Sequence, residues 1–320
     1  MQTDTDDRPI VVTGEALIDL VLTPGGGLSG HPGGGPYNVA RTIARLGQPV
    51  VYLGRISSDP LGARLRGELE GDGVGLGAIV ATDALTTLAM AQVDSAGVAR
   101  YRFYDVGTSA VGLTLEEATA ALPERIGGFY VGTLGLVWEP LASTLEALVA
   151  RLDDETLVAL DPNCRPTTID DAAAYRGRLR RLLARTDVIK ASEEDLAWLA
   201  PSDDPVTAAR TLLASDHAVA LVTLGAAGAL VVTASDMVVV QAPTVDVVDT
   251  IGAGDAFMGS FLAAWHARGL GRKGLVQLAE VAETVDFACR VAAITCSRAG
   301  AAPPRLGEPE LEPNAFRLNR

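Results

Sequence analysis

Short apolar runs alternate with stretches of helical periodicity along most of this 320-residue chain. The β-branched run at 10–22 and the apolar run at 49–56 have the composition of strands. Helical patterns follow them at 37–47 and 61–73, where apolar side chains recur every three or four residues. Further apolar runs of strand length occur at 127–135, 156–163, 187–192 and 218–225. Strands alternating with helices predict an α/β fold with a parallel sheet.

Two segments depart from this alternation. Residues 85–105 hold two extended runs around the turn Asp94-Ser95-Ala96-Gly97, which predicts an antiparallel hairpin. Because such a hairpin does not fit within parallel layers, we expect it to form a flap or lid. Residues 23–36 are rich in Gly and Pro and are predicted to be a loop. The chain has no internal repeat or low-complexity linker, so we expect one main domain with a small lid.

The charge balance excludes several classes of partner. Asp and Glu number 40 against 26 Lys and Arg, which gives a net charge of -14 at pH 7. Such a surface repels nucleic acid and anionic membranes, so we expect neither as a partner.

Cysteine usage and the absence of targeting patterns indicate a cytoplasmic protein. The three cysteines, Cys164, Cys289 and Cys296, form no CxxC pair, which excludes a disulfide framework and a structural zinc site. The first residues are acidic and have no signal pattern. No apolar stretch reaches the roughly 18 residues that a membrane span needs.

The scarcity of lysine and the motif content exclude further enzyme classes. Lys190 and Lys273 are the only lysines, and neither follows a GxxxxG loop, so there is no Walker A motif. The protein-kinase motifs, HExxH and GxSxG are also absent.

A small-residue turn precedes the helical pattern at 256–270. Gly252, Ala253 and Gly254 let an anion approach the unpaired backbone N–H groups at a helix N-terminus, where the macrodipole favours negative charge. This turn could hold a phosphoryl group in a chain with almost no lysine. Asp255 follows directly, and it could be the helix N-cap or a base beside the transferred group.

Three consecutive glycines precede the first helical pattern. Gly34 and Gly35 allow a ligand to approach the backbone closely, and Asn38 offers both a donor and an acceptor. The alternative is a surface turn with Asn38 facing solvent. A GxGxxG pattern at 25–30 could indicate a dinucleotide site, but no helix follows it directly, so we regard that signal as weak.

These segments together resemble the paired signatures of the PfkB (ribokinase-like) family of carbohydrate kinases. The front signature is GGGPYNVARTIARLG with GRISSDPLGARL, and the rear one is DTIGAGDAF. DPNCRP at 161–166 resembles a stretch of fructokinases, TLGAAGALV at 223–231 resembles the family's nucleotide-side loop, and GEALIDL favours the fructokinase-like branch.

The resemblance implies a three-layer α/β/α sandwich with a small β-sheet lid. The kinase domain would span 10–304, with the lid from about 16–34 and 85–106. Residues 1–9 are expected to be a disordered N-terminus and residues 305–320 a C-terminal tail.

The resemblance also implies ATP-dependent phosphorylation of a sugar hydroxyl. Asp255 would be the catalytic base, Gly252, Ala253 and Gly254 would form the anion hole, and Arg165 would stabilise the transferring phosphate. For Arg165 the alternative is an ion pair with Asp161 or a neighbouring acid. Sugar hydroxyls would be bound by Asp19, Gly34, Gly35 and Asn38.

On the nucleotide side, the resemblance implies binding by Thr223, Gly225, Gly228 and Ser192. Ala288 and Val291 on the late helix would contact the base or belong to the core.

The metal site departs from the family pattern. Ser192 and Asp195 stand where the family has Asn and Glu, so Asp195 or Glu194 would hold Mg²⁺ through water. The alternative is a helix start capped by Ser192. A monovalent cation, K⁺ in several relatives, would lie near Asp249 and Ile251.

Substrate choice within the family depends on the lid. Arg102 and Tyr104 alternate onto one face, and they could contact the substrate or form a surface pair. An arginine there would suit an acidic sugar.

Because GEALIDL and DPNCRP favour these two branches, we expect a fructokinase, with 2-keto-3-deoxygluconate kinase as the nearest alternative. Ribokinase or nucleoside kinase follows as a further alternative. A catalytically weak sugar- or nucleotide-binding protein on the same fold is the alternative from another class. The resemblance also implies a homodimer.

Overall fold

The computed structural model describes residues 7–22, 26–93, 99–216 and 218–311. The strands of these residues are β1 (Ile10–Thr13), β2 (Leu17–Leu22), β3 (Leu28–Gly33), β4 (Val50–Ser57), β5 (Ile79–Thr82), β6 (Leu88–Val93), β7 (Ala99–Tyr104), β8 (Gly128–Gly132), β9 (Leu157–Asp161), β10 (Val188–Ser192), β11 (Val219–Thr223), β12 (Ala229–Val232) and β13 (Met237–Val240). The α-helices are α1 (Gly35–Arg45), α2 (Pro60–Asp72), α3 (Leu115–Ala121), α4 (Leu141–Val149), α5 (Ala172–Leu183), α6 (Glu193–Leu199), α7 (Pro205–Arg210), α8 (Ala253–Ala267) and α9 (Leu278–Cys296).

The predicted alternation builds one large, mainly parallel sheet. Within the described ranges its strand order is β13-β12-β11-β10-β9-β8-β1-β4-β5. All neighbours from β11 to β5 are parallel, and β12 and β13 are antiparallel additions at one edge. Every residue of β1, β8, β9 and β12 is buried, because helices cover both faces of the sheet.

Two helical layers cover the two faces of this sheet. Helices α1, α2, α8 and α9 pack on one face through side chains such as Tyr37, Leu65 and Phe261. Helices α3 to α7 pack on the other face, where Leu145 and Leu179 are buried. The expected three-layer α/β/α sandwich is therefore confirmed.

The lid is a second sheet with strand order β3-β2-β6-β7. Strands β6 and β7 are antiparallel, as the hairpin prediction requires, and the turn Asp94–Gly97 lies outside the described residues. Strand β2 pairs in parallel with β6 and antiparallel with β3, so both lid segments join one sheet.

The structure corrects two local predictions near the N-terminus. The run at 10–22 is two strands in different sheets, interrupted at Gly14, which has a φ of 145°. The Gly/Pro-rich segment at 23–36 contains strand β3, which pairs with β2 along its whole length. A single glycine within a strand pattern, such as Gly14, does not by itself show that the chain passes from one sheet to another. Glycine-rich sequence also has low strand propensity, so it does not predict a strand that is stabilised by its neighbour.

The segment expected to be a C-terminal tail packs on the domain as far as it is described. The backbone N–H of Leu306 donates to the carbonyl of Arg45, and Arg305 forms an ion pair with Asp72. Leu311 is buried in the α8–α9 core. Of the expected N-terminal segment, residues 1–6 lie outside the described residues.

No helix among the described residues has both the length and the apolar character needed to span a bilayer.

Candidate active site

The predicted site residues converge where the parallel strands end. Asp161, Ser192 and Thr223 are the last residues of the neighbouring strands β9, β10 and β11. Helix α8 begins at the same edge, and β1 continues from there into the lid. In open α/β sheets, ligands bind outside the carboxyl ends of the strands, so this edge is the expected position for a site.

Asp255 lies in the first turn of α8 and is nearly buried, at 9% exposure. Its Oδ2 accepts a hydrogen bond from Asn38 Nδ2 at 2.9 Å. The pKa of Asp255 is raised to about 6, mainly by burial; Asp161 also contributes to the rise, whereas the Asn38 hydrogen bond, Lys190 and Arg165 lower the pKa. The N-cap of α8 is Gly252, not Asp255, so the capping alternative for Asp255 does not apply. The carboxylate is ionised at neutral pH and can accept a proton.

The turn before α8 depends on Gly252. Its φ of 75° lies in the left-handed region, and an added Cβ would be 2.5 Å from Ala301 Cβ. Glycine therefore places Gly252, Ala253 and Gly254 at the mouth of a 15-residue helix. Ala253 N donates to the Thr250 carbonyl at 3.2 Å, whereas other N–H groups in a first helical turn lack partners within the helix and can bind an anion.

The glycine loop before α1 is held by a buried carboxylate that the sequence analysis missed. Glu15 is 1% exposed and accepts hydrogen bonds from Gly35 N at 3.2 Å, from Gly135 N at 2.9 Å and from the Thr133 hydroxyl. Burial raises the pKa of Glu15 to about 7. Glu15 belongs to the GEALIDL motif, but the sequence does not show that it is buried or what it binds.

The glycines of this loop allow close packing around the site. An added Cβ at Gly34 would lie 2.5 Å from the carbonyl oxygen of Glu15. At Gly35 it would lie 2.5 Å from Thr133 Cγ2 and 3.3 Å from Asp255 Oδ1. The backbone of Gly35 therefore borders the Asp255 carboxylate directly.

Asp19 faces the site from the lid. Burial raises its pKa to about 6, and a side chain at Gly33 would collide with its carboxylate. In the lid register Asp19 pairs with Ala89, which pairs with Phe103. Because paired residues share a face of a sheet and alternate residues share a face of a strand, Tyr101 and Phe103 lie on the Asp19 face.

The same register corrects the prediction for Arg102 and Tyr104. They share one face, as expected, but it is the face opposite Asp19. The lid residues that face the site are Tyr101 and Phe103, which the sequence analysis missed. The phenol of Tyr101 interacts electrostatically with Asp19, Arg165 and Asp249, and burial raises its pKa. Phe103 packs edge-on against Trp138, with ring centroids 5.6 Å apart.

The DPNCRP loop after β9 is fixed by two buried carboxylates. Asp161 Oδ1 accepts from Asn163 N at 3.0 Å, and Asp195 Oδ1 accepts from Cys164 N at 2.5 Å. Asp161 Oδ2 forms an ion pair with Lys190, so the alternative of an Arg165–Asp161 pair is not what the structure shows. Arg165 belongs to this loop, and its charge lowers the pKa of Asp255.

The predicted Mg²⁺ residues form the start of α6. Ser192 and Asp195 form a reciprocal capping box, in which Ser192 Oγ donates to Asp195 Oδ2 at 2.8 Å. Asp195 is buried, whereas Glu194 is exposed. Among the described residues no group of three His, Cys, Asp or Glu side chains could by itself hold a metal ion. Both carboxylate oxygens of Asp195 are engaged by Cys164 N and Ser192, whereas the exposed Glu194 carboxylate could accept from a metal-bound water.

Asp249, predicted to lie at a monovalent cation site, connects two loops beside α8. Its Oδ1 accepts from Ile251 N at 3.0 Å, and its Oδ2 accepts from Gly300 N at 2.9 Å. The Ile251 side chain is half exposed.

A cavity of about 420 Å³ lies beside the α8 N-terminus. Thr223, Gly225 and Gly228, the residues expected to contact the nucleotide, line it together with Ala253 and Gly254. Ser192 does not line it but pairs with Thr223 in the sheet.

The structure decides between the two alternatives for Ala288 and Val291 on α9. Ala288 and Val291 are fully buried in the core. The α9 residues that line the cavity are Cys289, Ala292, Ala293 and Cys296. The periodicity of an apolar helix does not distinguish the face toward the core from the face toward a cavity.

Comparison with known proteins identifies the family. Residues 7–306 match the model of the pfkB family carbohydrate kinase. A fructokinase of Rhizobium leguminosarum bv. trifolii is 34% identical over 262 residues, 80% of this chain and 79% of its own. Probable fructokinase-4 of Arabidopsis thaliana is 32% identical over 98% of both chains.

Solved structures agree with this assignment. Fructokinase with bound ATP from Xylella fastidiosa has a TM-score of 0.84 and 28% identity, covering 92% of this chain and 95% of its own. Fructokinase from Vibrio cholerae O395 bound to fructose, ADP and calcium ion has a TM-score of 0.78 and 27% identity over the same shares. Its double mutant bound to fructose, ADP and potassium ion has a TM-score of 0.80 and 26% identity, covering 94% and 95%. The chain therefore belongs to the pfkB family of carbohydrate kinases, and it is an ATP-dependent sugar kinase.

Proposed function

We propose that this protein phosphorylates a neutral ketose, fructose first among them, with Asp255 as the base. The observation that carries the proposal is the position of the Asp255 carboxylate in the first turn of α8, beside the glycine loop that connects the lid strand β3 to α1. Asp255 Oδ2 is held by Asn38, and Oδ1 borders the backbone of Gly35. A sugar hydroxyl bound there would lie between a proton acceptor and an anion-binding helix terminus.

In this mechanism each part of the site has one task. Asp19, Gly34, Gly35 and Asn38 would bind sugar hydroxyls, and Asp255 would take the proton from the acceptor hydroxyl. Gly252, Ala253 and Gly254 would stabilise negative charge on the transferred group, with Arg165 adding a guanidinium beside it. Thr223, Gly225 and Gly228 would line the nucleotide cavity. Phosphoryl transfer requires mainly positioning and charge stabilisation, which this arrangement supplies.

The charge on the lid favours a neutral sugar over an acidic one. The Asp19 carboxylate faces the site, while Arg102, the lid arginine that would suit an acidic sugar, lies on the opposite face. A second carboxylate, on a substrate such as 2-keto-3-deoxygluconate, would be repelled by Asp19. The names of the curated relatives and the fructose-bound Vibrio structures agree with this preference.

We further propose that Mg²⁺ is the metal used with ATP and that K⁺ binds near Asp249 and Ile251. Mg²⁺ would neutralise phosphate charge during transfer, with Glu194 or Asp195 accepting from its bound water. Calcium and potassium ions in the Vibrio structures support one divalent and one monovalent ion. Activity should be lost with excess EDTA and restored by Mg²⁺, and it should rise when Na⁺ is replaced by K⁺.

A homodimer formed through the lid is the proposed assembly, and the cytoplasm is the proposed location. The lid face opposite Asp19 carries Tyr104, which is 46% exposed, and strand β3 carries Leu28, which is 60% exposed. Sedimentation that finds only a monomer at working concentration would contradict the dimer.

The free thiols of Cys164 and Cys289 are consistent with a reducing compartment, and cell fractionation tests the location.

The test of the substrate is an ADP-release assay with MgATP against fructose, 2-keto-3-deoxygluconate, ribose and adenosine. We expect the highest kcat/KM on fructose. A higher kcat/KM on 2-keto-3-deoxygluconate would overturn the neutral-sugar proposal. Turnover on ribose or adenosine alone would show instead that the protein is a ribokinase or a nucleoside kinase.

A further inference from the structure

Lys190 is a buried cation that the mechanism above does not use. It lies in the middle of β10, is 4% exposed, and its Nζ is 2.9 Å from Asp161 Oδ2 on the neighbouring strand β9. Asp161 is the last residue of β9, and Lys190 lies two residues before the end of β10, at the edge of the sheet that borders the site. Burial alone would lower the pKa of Lys190, but Asp161, Asp195 and Asp255 raise it above its ordinary value. The side chain is therefore a fixed positive charge.

The position of this charge relative to α8 is unusual. An added Cβ at Gly254 would lie 3.0 Å from Lys190 Nζ and 3.6 Å from its Cε, so the ammonium packs against the first turn of the helix. A cation at a helix N-terminus is unfavourable, because the macrodipole is positive there. The site therefore holds a lysine where folding alone would favour an anion.

We propose that Lys190 is a positioning residue that supplies fixed positive charge beneath the Gly252–Gly254 turn and thereby strengthens its binding of the transferring phosphoryl group. Asp161 holds the ammonium in place, and its own second oxygen is bound to Asn163 N. Gly254 has no side chain, so nothing separates the ammonium from the backbone that would face the phosphoryl group. This inference rests on the proposed role of that turn as the anion hole.

A stabilising role alone would predict a different outcome. A buried ion pair costs desolvation energy, and its replacement by neutral residues of similar volume is often neutral or stabilising. If the charge of Lys190 acts on the reaction, neutralising the pair should instead lower kcat. The neutralised variant should therefore lose activity without losing stability.

The test is the double variant Lys190→Met/Asp161→Asn, which removes both charges and leaves no unpaired buried ion. We expect its melting temperature to stay within a few degrees of wild type. We expect kcat on the sugar that wild type phosphorylates best to fall about tenfold or more, with the KM for that sugar changed by less than about threefold. An unchanged kcat in this folded variant would overturn the proposal.

A binding measurement separates a charge effect from a general disturbance of the site. ADP with aluminium fluoride, Mg²⁺ and the sugar is an anionic mimic of the transferring group, and calorimetry can compare its affinity with that of MgADP alone. We expect the double variant to lose about tenfold in affinity for the mimic and to keep its affinity for MgADP. Equal losses for both ligands would assign Lys190 a structural role only.

A matched control lies at the other end of the same strands. Asp187, just before β10, is fully buried, and it pairs with Arg272 through Nε at 2.8 Å and with Arg185 through Nη1 at 3.3 Å. The variant Arg272→Gln/Asp187→Asn also removes the carboxylate that pairs with Arg185, so it should lower stability, but it should leave kcat unchanged. A comparable fall in kcat would show that the loss of any buried pair impairs the enzyme and would overturn the proposal. Wild-type turnover on the sugar panel tests the proposed function separately.

Discussion

Asn38 donates its side-chain amide to Asp255 Oδ2 at 2.9 Å, and this one hydrogen bond joins two residues 217 positions apart. Asn38 lies in the first helix and Asp255 in the helix that follows the small-residue turn. Helices α1 and α8 pack against each other on the same face of the sheet, so the two signature segments of the sequence form one site. The bond also fixes which oxygen of Asp255 remains available to a substrate.

Replacing the base should abolish turnover while preserving nucleotide binding. We expect Asp255→Asn to lower kcat by about 10²- to 10⁴-fold, the range typical of a positioned general base. The KM for ATP should change little, because the carboxylate is not among the residues that line the nucleotide cavity. Coupled ADP release and calorimetric ATP binding measure the two quantities. Residual kcat near wild type would contradict the base assignment.

The pH dependence of catalysis should reflect the raised pKa of Asp255. Burial raises this pKa to about 6, and only the ionised carboxylate can accept a proton. The kcat/KM should therefore be constant above the pKa and fall tenfold per pH unit below it. Because the pKa of Asp19 is also raised to about 6, the profile should be repeated with Asp19→Asn. If that variant no longer shows an acid limb, the limb belongs to Asp19.

Gly252 should be intolerant of a side chain for two separable reasons. Gly252→Ala must adopt a φ of 75° and place its Cβ 2.5 Å from Ala301 Cβ. Gly269 is a matched control, because its φ is 62° and an added Cβ would have nothing within 4 Å. We expect Gly269→Ala to lower the free energy of unfolding by about 1–2 kcal/mol and to leave kcat unchanged. We expect Gly252→Ala to lower the free energy of unfolding by more than this and also to lower kcat. Urea denaturation and steady-state kinetics measure both, and equal costs would argue against the collision with Ala301.

The lid register predicts which side chains contact the sugar. Tyr101→Ala should raise the KM for the sugar about tenfold, because Tyr101 shares the face of Asp19, whereas Arg102→Ala should leave kcat and KM within about twofold of wild type. Steady-state kinetics on one sugar compares the two variants. An Arg102→Ala variant with the larger defect would mean that the lid changes its register or orientation in the bound state.

Much of the fold and part of the site could be predicted from the sequence. The alternation of strands and helices is a local pattern, and it correctly predicted a parallel sheet. The small-residue turn is also a local pattern, and it correctly predicted that Gly252–Asp255 lie at the N-terminus of a helix. Glu15 and Lys190 were missed as parts of the site because their importance comes from burial and from partners distant in sequence. Glu15 contacts Thr133 and Gly135, and Lys190 pairs with Asp161.

Residues on regular elements show the same division. Alternation put Arg102 and Tyr104 on one face of β7, but only pairing with β6 and β2 decided that this face points away from Asp19. Helical periodicity marked α9 as apolar, but packing decided that Ala288 is in the core and Cys289 at the cavity.

The sequence by itself determined the strand and helix order, the glycine turns and the residue types at the site. These follow from side-chain shape, backbone freedom and periodicity, which act over a few neighbouring residues. Only the tertiary structure decided which faces of the strands and helices pack together and which charged side chains are buried away from solvent. Register and burial arise from contacts between distant segments, and they set the pKa of Asp255, the Lys190–Asp161 pair and the orientation of the lid.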